Sequence, residues 1–249
     1  MRDAIQWVRS IIFNAQMYVM LPVIGIVYLP WALFSRRGAN AACHAYCRWV
    51  CKSAELIVGL RCEVRGEVPT DEVMVAGKHQ SFLDVLMIFG ALPRGKFIMK
   101  RILMYSPVVG QYARMIGCIP VDRGKRGAAI RKMVADVNTG KAVPGQLIIY
   151  PQGTRIAPGV KAPYKTGTGA LYKEVGQDCV PVACNVGVFW PKRGVTRKPG
   201  VAVVEFLPRI KSGLTGPEFM AKLEEVIETR SDALMAEAGF VPKPPVAQS

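Results

Sequence analysis

The segment VMVAGKHQSFLD, residues 73–84, joins a short apolar stretch to the beginning of a helix. Residues 73–76 are continuously apolar, as expected of a strand that is buried on both faces of a sheet. Ser81 is suited to cap a helix that runs through Asp84 to about Leu92, because Ser81-x-x-Asp84 resembles a capping box. A strand that leads directly into a helix is the repeating unit of an α/β fold.

Similar units continue along the chain of 249 residues. Apolar stretches rich in valine and isoleucine predict further strands at 61–65, 119–121, 146–150, 180–188 and 201–207. A helix is predicted to begin at Ser106-Pro107, where proline suits the first helical position, and others at 127–138 and 218–238. The alternation predicts an α/β domain over 61–240, with a mostly parallel sheet flanked by helices, followed by a disordered tail at 241–249.

The first 60 residues are of a different kind. Residues 11–34 carry no charge, and a helix of that length crosses a hydrocarbon core of about 30 Å. Pro22 and Pro30 favour a kinked span or a re-entrant pair of helices over a straight rod. Residues 41–60 predict an amphipathic helix that packs on the first or lies among lipid headgroups, with an ordinary soluble core helix as the alternative. We therefore expect an N-terminal helical membrane anchor over 1–60.

The composition narrows the class of partner. The chain is 51% hydrophobic and has a formal net charge of +15, which favours an anionic membrane or an anionic amphipathic substrate. The cations are dispersed among apolar elements, so no nucleic-acid partner is expected. The chain has seven cysteines without a C-x-x-C pair and two histidines, so no metal site is predicted.

His79 and Asp84 are the candidate catalytic pair. His79 stands at the end of a predicted strand, and Asp84 follows in the first helical turn. The carboxylate is then able to hold one imidazole nitrogen and leave the other free as a base, which removes a proton from an alcohol. The same spacing also occurs where a surface histidine lies near a helix-capping aspartate.

Candidate anion-binding groups follow later strands. Arg123 closes the segment GCIPVDRG, residues 117–124, and its planar guanidinium suits a phosphate. Gln152-Gly153-Thr154-Arg155 forms a tight turn whose backbone N–H groups and hydroxyl face an anion. Lys165 stands just before a predicted helix, and a helix N-terminus beside a lysine is an anion site. Val180-Pro181-Val182 is interpreted as a buried strand.

Together these four blocks, in this order and behind apolar N-terminal helices, resemble the bacterial 1-acylglycerol-3-phosphate acyltransferases, within the wider glycerolipid acyltransferase group. The resemblance covers residues 73–188 by motif. It implies that His79 is the general base and that Asp84 orients it. It also implies a set of substrate-binding residues around the acceptor and its phosphate: Lys100, Arg123, Gln152, Gly153, Thr154, Arg155 and Lys165.

The resemblance implies an activity and a location. A fatty acyl group would pass from acyl carrier protein or coenzyme A, as a thioester co-substrate and with no cofactor, to the sn-2 hydroxyl of lysophosphatidic acid, giving phosphatidic acid. The enzyme would lie in a bacterial inner membrane, with its catalytic domain on the cytoplasmic face. Gln152 stands where the family usually has glutamate, and this leaves the acceptor open. Lys78 replaces a common asparagine, and its charge is expected to disfavour protonation of His79.

Other functions stay open at this stage. The acceptor could be another lyso-lipid, such as lyso-ornithine lipid. A non-catalytic protein that binds anionic lipid would keep the cations but need neither His79 nor Asp84. A thiol route through Cys118 or Cys184 is a further alternative, whereas the chain has no G-x-S-x-G segment of a serine esterase.

Overall fold

The computed structural model describes residues 2–121 and 144–241. Its helices are α1 Arg2–Phe34, α2 Arg36–Ser53, α3 Leu83–Ala91, α4 Val109–Met115, α5 Gly167–Val175 and α6 Gly216–Glu237. Its strands are β1 Leu60–Gly66, β2 Met74–Gly77, β3 Gly95–Lys100, β4 Ile119–Val121, β5 Gln146–Ile149, β6 Cys179–Cys184 and β7 Gly200–Phe206. Shorter turns are π-helical at Ala54–Val58 and 3₁₀-helical at Arg101–Tyr105 and Val186–Val188.

The described strands form a seven-stranded sheet in the order β1-β7-β6-β2-β5-β3-β4. The five strands from β6 to β4 are parallel to one another. At the other edge β7 is antiparallel to β6, and β1 is parallel to β7. The predicted α/β class with a mostly parallel sheet is confirmed. In such a sheet the carboxyl ends of β6, β2, β5, β3 and β4 share one edge, where ligands bind.

Both faces of the central strands are covered, which explains why their sequences are continuously apolar. Val75 and Ile148 pack on the side of α3 and the N-terminal helices. Met74 and Leu147 pack on the opposite side, against apolar residues of α5 and α6. The alternation along β2 continues past its end, so successive residues of the following segment face opposite sides of the sheet.

Helices α1 and α2 form an antiparallel hairpin. The chain reverses at Ser35, which has an extended backbone and accepts a hydrogen bond from the Arg37 amide on its Oγ at 3.1 Å. The Tyr46 hydroxyl donates to the carbonyl of Met17 at 3.3 Å, and Trp49 Nε1 donates to Gln16 Oε1. The prolines at 22 and 30 do not end α1. Residues 11–34, for which a kinked span or a re-entrant pair of helices was expected, therefore lie within one helix.

One face of α1 is fastened to the α/β domain. Gln6 Nε2 donates to the carbonyls of Val58 and Arg197, at 3.0 and 2.7 Å. Farther along, the Tyr112 hydroxyl donates to the carbonyl of Gly25 at 2.6 Å. The segment Asp3–Phe34 is long and apolar enough to cross a membrane, by length and composition. Apolar side chains stay exposed on its other face: Ile5, Val8, Ile12, Val19, Val23, Ile26 and Val27.

Two sequence expectations about strands need correction. Strand β3 was not predicted, because its apolar residues are few and stand between Lys96 and Lys100. The predicted strand 180–188 ends at Cys184. Beyond Cys184 the side chain of Asn185 replaces the backbone as hydrogen-bonding partner of β7. Its Oδ1 accepts the Val203 amide at 2.7 Å, and its Nδ2 donates to the carbonyl of Leu234 at 3.2 Å.

Helix α4 begins at Val109, later than the predicted start at Ser106-Pro107. The long last helix is confirmed, with Thr215 as its N-cap and a capping box formed with Glu218. The predicted helix at 127–138 and all but the first residue of the predicted tail lie outside the described residues.

Candidate active site

The predicted pair is assembled in the segment between β2 and α3. His79 Nδ1 lies 2.8 Å from Asp84 Oδ1. Asp84 is fully buried, and its Oδ2 accepts the backbone N–H groups of Gln80 at 2.8 Å and Ser81 at 2.6 Å. A carboxylate held in this way makes His79 Nδ1 the protonated nitrogen, because an ionised carboxylate only accepts hydrogen bonds. His79 Nε2 is then the nitrogen with a free lone pair, as a general base requires.

The imidazole is also held from its face. The ring of Tyr150, the residue directly after β5, stacks on His79 with centroids 4.1 Å apart and planes 24° from parallel. The carbonyl of His79 accepts the Ile156 amide at 2.8 Å. Burial raises the pKa of Tyr150 well above its usual value, so its hydroxyl stays neutral. These contacts, which sequence reasoning missed, join the base to the turn that follows β5.

The predicted cationic groups follow neighbouring strands. Because β2, β5, β3 and β4 are adjacent and parallel, the segments after them meet at one edge of the sheet. Arg155 follows β5, and exposed Lys100 ends β3. The Lys165 amide donates to the carbonyl of Pro151 at 3.0 Å, which brings Lys165 to the same turn. Arg123 lies outside the described residues, two positions after Val121 at the end of β4.

The turn after β5 is closed by a hydrogen bond from the Gly153 amide to the carbonyl of Tyr150 at 2.9 Å. Gly153 has a φ of 67°, a left-handed conformation that favours glycine. Gln152 is buried, and its Nε2 donates to the carbonyl of Ala162 at 3.4 Å. Its Oε1 is buried without a hydrogen-bonding partner among the described residues. Thr154 is exposed. The roles of these residues in acceptor binding stay predictions.

The expectation for Lys78 needs correction. Lys78 is only 3% exposed, and its Nζ lies 2.6 and 2.5 Å from the two carboxylate oxygens of Glu228 on α6. The alternation of β2 directs Lys78 to the α6 side and His79 to the other. Since Glu228 neutralises the ammonium, Lys78 is not a free charge that acts on His79. Nothing local in the sequence pointed to Glu228 as its partner.

The cysteines near the site are not activated nucleophiles. Burial raises the pKa of Cys184 well above its usual value, and burial raises the pKa of Cys118 to about 11. Both side chains are therefore thiols near neutral pH, whereas the thiolate is the reactive form. Among the described residues no group of three or more histidine, cysteine, aspartate or glutamate side chains is placed to hold a metal ion.

A histidine held by a buried carboxylate, with cations at the ends of neighbouring strands, suits removal of a proton from the hydroxyl of an anionic substrate. The protein-family model described as Acyltransferase matches residues 60–185. This segment is about half of the chain and carries β1 to β6, including His79, Asp84 and Tyr150. The chain therefore belongs to the acyltransferase family.

Individual relatives agree with the resemblance stated from the motifs, which is confirmed. The 1-acyl-sn-glycerol-3-phosphate acyltransferase of Pseudomonas aeruginosa is 26% identical over 243 residues, covering 94% of this chain and 93% of the relative. The alpha form of that enzyme from Mus musculus is 29% identical over 197 residues, 76% of this chain and 69% of the relative. The crystal structure of the 1-acyl-sn-glycerophosphate acyltransferase of Thermotoga maritima shares the fold, with a TM-score of 0.79, 19% identity, and coverage of 95% of this chain and all of that one.

Proposed function

We propose that the enzyme transfers a fatty acyl group from an acyl thioester to the sn-2 hydroxyl of lysophosphatidic acid. The observation that carries the proposal is the His79–Asp84 pair, joined at 2.8 Å at the end of β2, beside strand ends that bear cations. The names of the relatives support the same acceptor. The exposed apolar face of α1 supports a substrate that resides in a membrane.

The chemistry follows from the free nitrogen of His79. Nε2 takes the proton of the acceptor hydroxyl as the oxygen attacks the thioester carbonyl carbon. The tetrahedral intermediate collapses, the carbon–sulfur bond breaks, and the departing thiolate takes the proton from His79. Asp84 stabilises the imidazolium between these steps. The donor, acyl carrier protein or coenzyme A, leaves as a thiol, and no acyl-enzyme or cofactor takes part.

The phosphate of the acceptor would be held by cations on one side of the base. Arg155 follows β5, the strand next to β2, whereas Lys100 ends β3 on the far side of β5. Lys165 is joined by its backbone to the same turn as Arg155. Arg123 is the fourth group that we assign to this site. A phosphate at this edge leaves the acceptor hydroxyl to reach toward His79, since the two groups are close in a glycerol backbone.

The way α1 is held supports the membrane arrangement that we propose. Hydrogen bonds at Gln6 and Gly25 fasten most of its length along the α/β domain, so α1 is not free to cross a bilayer alone. We place its exposed face in one leaflet, with the α/β domain on the cytoplasmic side of a bacterial inner membrane. There the site meets a lipid acceptor and a water-soluble thioester together.

The test is a product assay in sealed inner-membrane vesicles. Inverted vesicles are given a labelled acyl thioester with lysophosphatidic acid, glycerol 3-phosphate or lyso-ornithine lipid. We expect labelled phosphatidic acid from lysophosphatidic acid alone. Product from lyso-ornithine lipid instead would reassign the acceptor, and equal activity in right-side-out vesicles would overturn the cytoplasmic placement. Lipid binding without any product would favour the non-catalytic alternative.

Arg155→Ala is expected to raise the KM for lysophosphatidic acid about tenfold to a hundredfold and to change kcat by less than about threefold. The reason is that a phosphate clamp contacts ground state and transition state alike. Arg209→Ala is the matched control, because Arg209 pairs with Asp71 at the opposite edge of the sheet. An unchanged acceptor KM in Arg155→Ala would remove Arg155 from the phosphate site, and the same assay applies to Arg123→Ala.

A further inference from the structure

Lys78, the residue before the base, takes part in a partly buried ion pair that the proposed mechanism does not use. Lys78 Nζ contacts both carboxylate oxygens of Glu228, although the two residues are 150 positions apart. The Lys78 amide also donates to the carbonyl of Val182 on β6 at 2.8 Å. The strand end that carries His79 is therefore fixed through both its backbone and its side chain.

Glu228 has a second partner. The Tyr164 hydroxyl donates to Glu228 Oε1 at 2.8 Å, and Tyr164 is buried. Burial, and then the charge of Glu228, raise the pKa of Tyr164 far above its usual range, so the phenol remains a donor. Tyr164 directly precedes Lys165, the cation that the proposed function assigns to the acceptor phosphate. One carboxylate thus joins the segment of the base to the segment of the anion site.

We propose that Glu228 is a positioning residue that sets the distance between the base His79 and the acceptor cation Lys165. The inference rests on the proposed function, since it needs both groups to act on one acceptor. Glu228 is assigned no contact with either substrate. It acts through Lys78 on one side and through Tyr164 on the other.

Helix α6 supplies the rigid support that such a role needs. Ser231, one turn beyond Glu228, accepts the Cys184 amide on its Oγ at 3.2 Å. Met235 accepts a hydrogen bond from Gln80 Nε2 on its sulfur at 3.4 Å. The side chain of Gln80 in turn accepts the Gly187 amide at 2.9 Å. Helix α6 therefore holds the segment of the base at Lys78 and at Gln80, and Glu228 also contacts Tyr164, the residue before Lys165.

The two contacts of Glu228, with Lys78 and with Tyr164, predict separate kinetic effects; below, each is called an arm, leading to His79 and to Lys165 respectively. Tyr164→Phe cuts only the arm to Lys165 and is expected to raise the acceptor KM about three- to tenfold with kcat within about twofold. Lys78→Met cuts only the arm to His79 and is expected to lower kcat about tenfold with the acceptor KM within about twofold. Glu228→Gln, which leaves Lys78 without its counter-charge, is expected to show both effects. The donor KM stays unchanged in each.

The experiment measures kcat and both KM values for these variants in inverted vesicles, with Glu225→Gln on the exposed side of α6 as control. Hydrogen exchange at the amides of residues 78–82 and 164–167 is measured on the same proteins, and faster exchange in both segments is expected for Glu228→Gln. An equal loss of kcat in all three variants with no change in the acceptor KM would overturn the proposal, because a merely structural pair lowers only the folded fraction. If the wild type makes no phosphatidic acid, the proposed function is wrong. Hydrogen exchange then tests the role of Glu228 by itself: exchange in both segments of Glu228→Gln as slow as in the wild type would reject it.

Discussion

His79→Ala is expected to lower the turnover of the acyl thioester by about 10²–10⁴-fold while the protein still binds lipid. The substitution removes Nε2, the atom that we propose takes the hydroxyl proton. The groups expected to hold the acceptor phosphate, and the exposed apolar face of α1, are unchanged. The measurement is the rate of labelled phosphatidic acid formation at saturating substrates, with binding to anionic vesicles as a parallel readout.

The chain provides a matched control for this substitution. His44, the other histidine, lies on α2 with its ring 5.3 Å from that of Phe89. His44→Ala should retain most of the wild-type rate, because His44 has no place in the proposed proton transfer. If His79→Ala turned over as fast as the wild type, His79 would not be the base. Anionic-lipid binding without chemistry would then become the leading interpretation.

The candidate pair of His79 and Asp84 could be predicted from the sequence because the two residues are close along the chain. His79 and Asp84 are five residues apart, in a short connection between a strand and a helix. That spacing brings the two side chains together, and in the structure they lie 2.8 Å apart. The order of the cationic blocks was equally informative. The segments that carry Arg123 and Arg155 each follow a predicted strand, and the carboxyl ends of parallel strands lie at one edge of the sheet.

The rest of the site depends on packing between distant segments. Glu228 occupies one position of a helix with many charged residues, and only the packing of α6 on the sheet selects it as the partner of Lys78. The sequence predicted Tyr150 only as the last residue of a strand. Its stacking on His79 depends on the adjacency of β2 and β5, which no local pattern encodes.

In the N-terminal segment, too, the local sequence predicted the helix but not the contacts that position it. Its length and apolar character predicted a helix, but polar Asn14 and Gln16 appeared only as interruptions. In the structure Asn14 Nδ2 donates to the carbonyl of Val195 at 2.9 Å, and Gln16 Nε2 donates to Ser53 Oγ at 2.9 Å. These residues fasten α1 to the domain and to the end of α2. Tertiary contacts, rather than the hydropathy of the segment, decide how the helix lies.

Asp84→Asn is the second substitution with a large expected effect, and the structure gives the reason. Asp84 Oδ2 accepts the amides of Gln80 and Ser81, whereas Oδ1 contacts His79 Nδ1. The amide oxygen of asparagine can occupy only one of these positions. If its NH₂ group faced the two backbone amides, buried donors would lose their acceptor at a cost of about 1–3 kcal/mol each. The favoured orientation keeps the oxygen on those amides and points the NH₂ group at His79.

In that orientation His79 Nδ1 must accept a hydrogen bond, so the proton of the neutral ring moves to Nε2. A protonated Nε2 has no lone pair for the acceptor hydroxyl, and we expect kcat to fall about 10³–10⁴-fold with little change in the acceptor KM. Long-range ¹H–¹⁵N spectra of histidine-labelled protein report the tautomer directly, and His79→Ala assigns the two ring systems. Asp232→Asn, on the exposed side of α6, is the control. A variant that kept its rate with the proton moved to Nε2 would show that the tautomer of His79 does not govern the reaction.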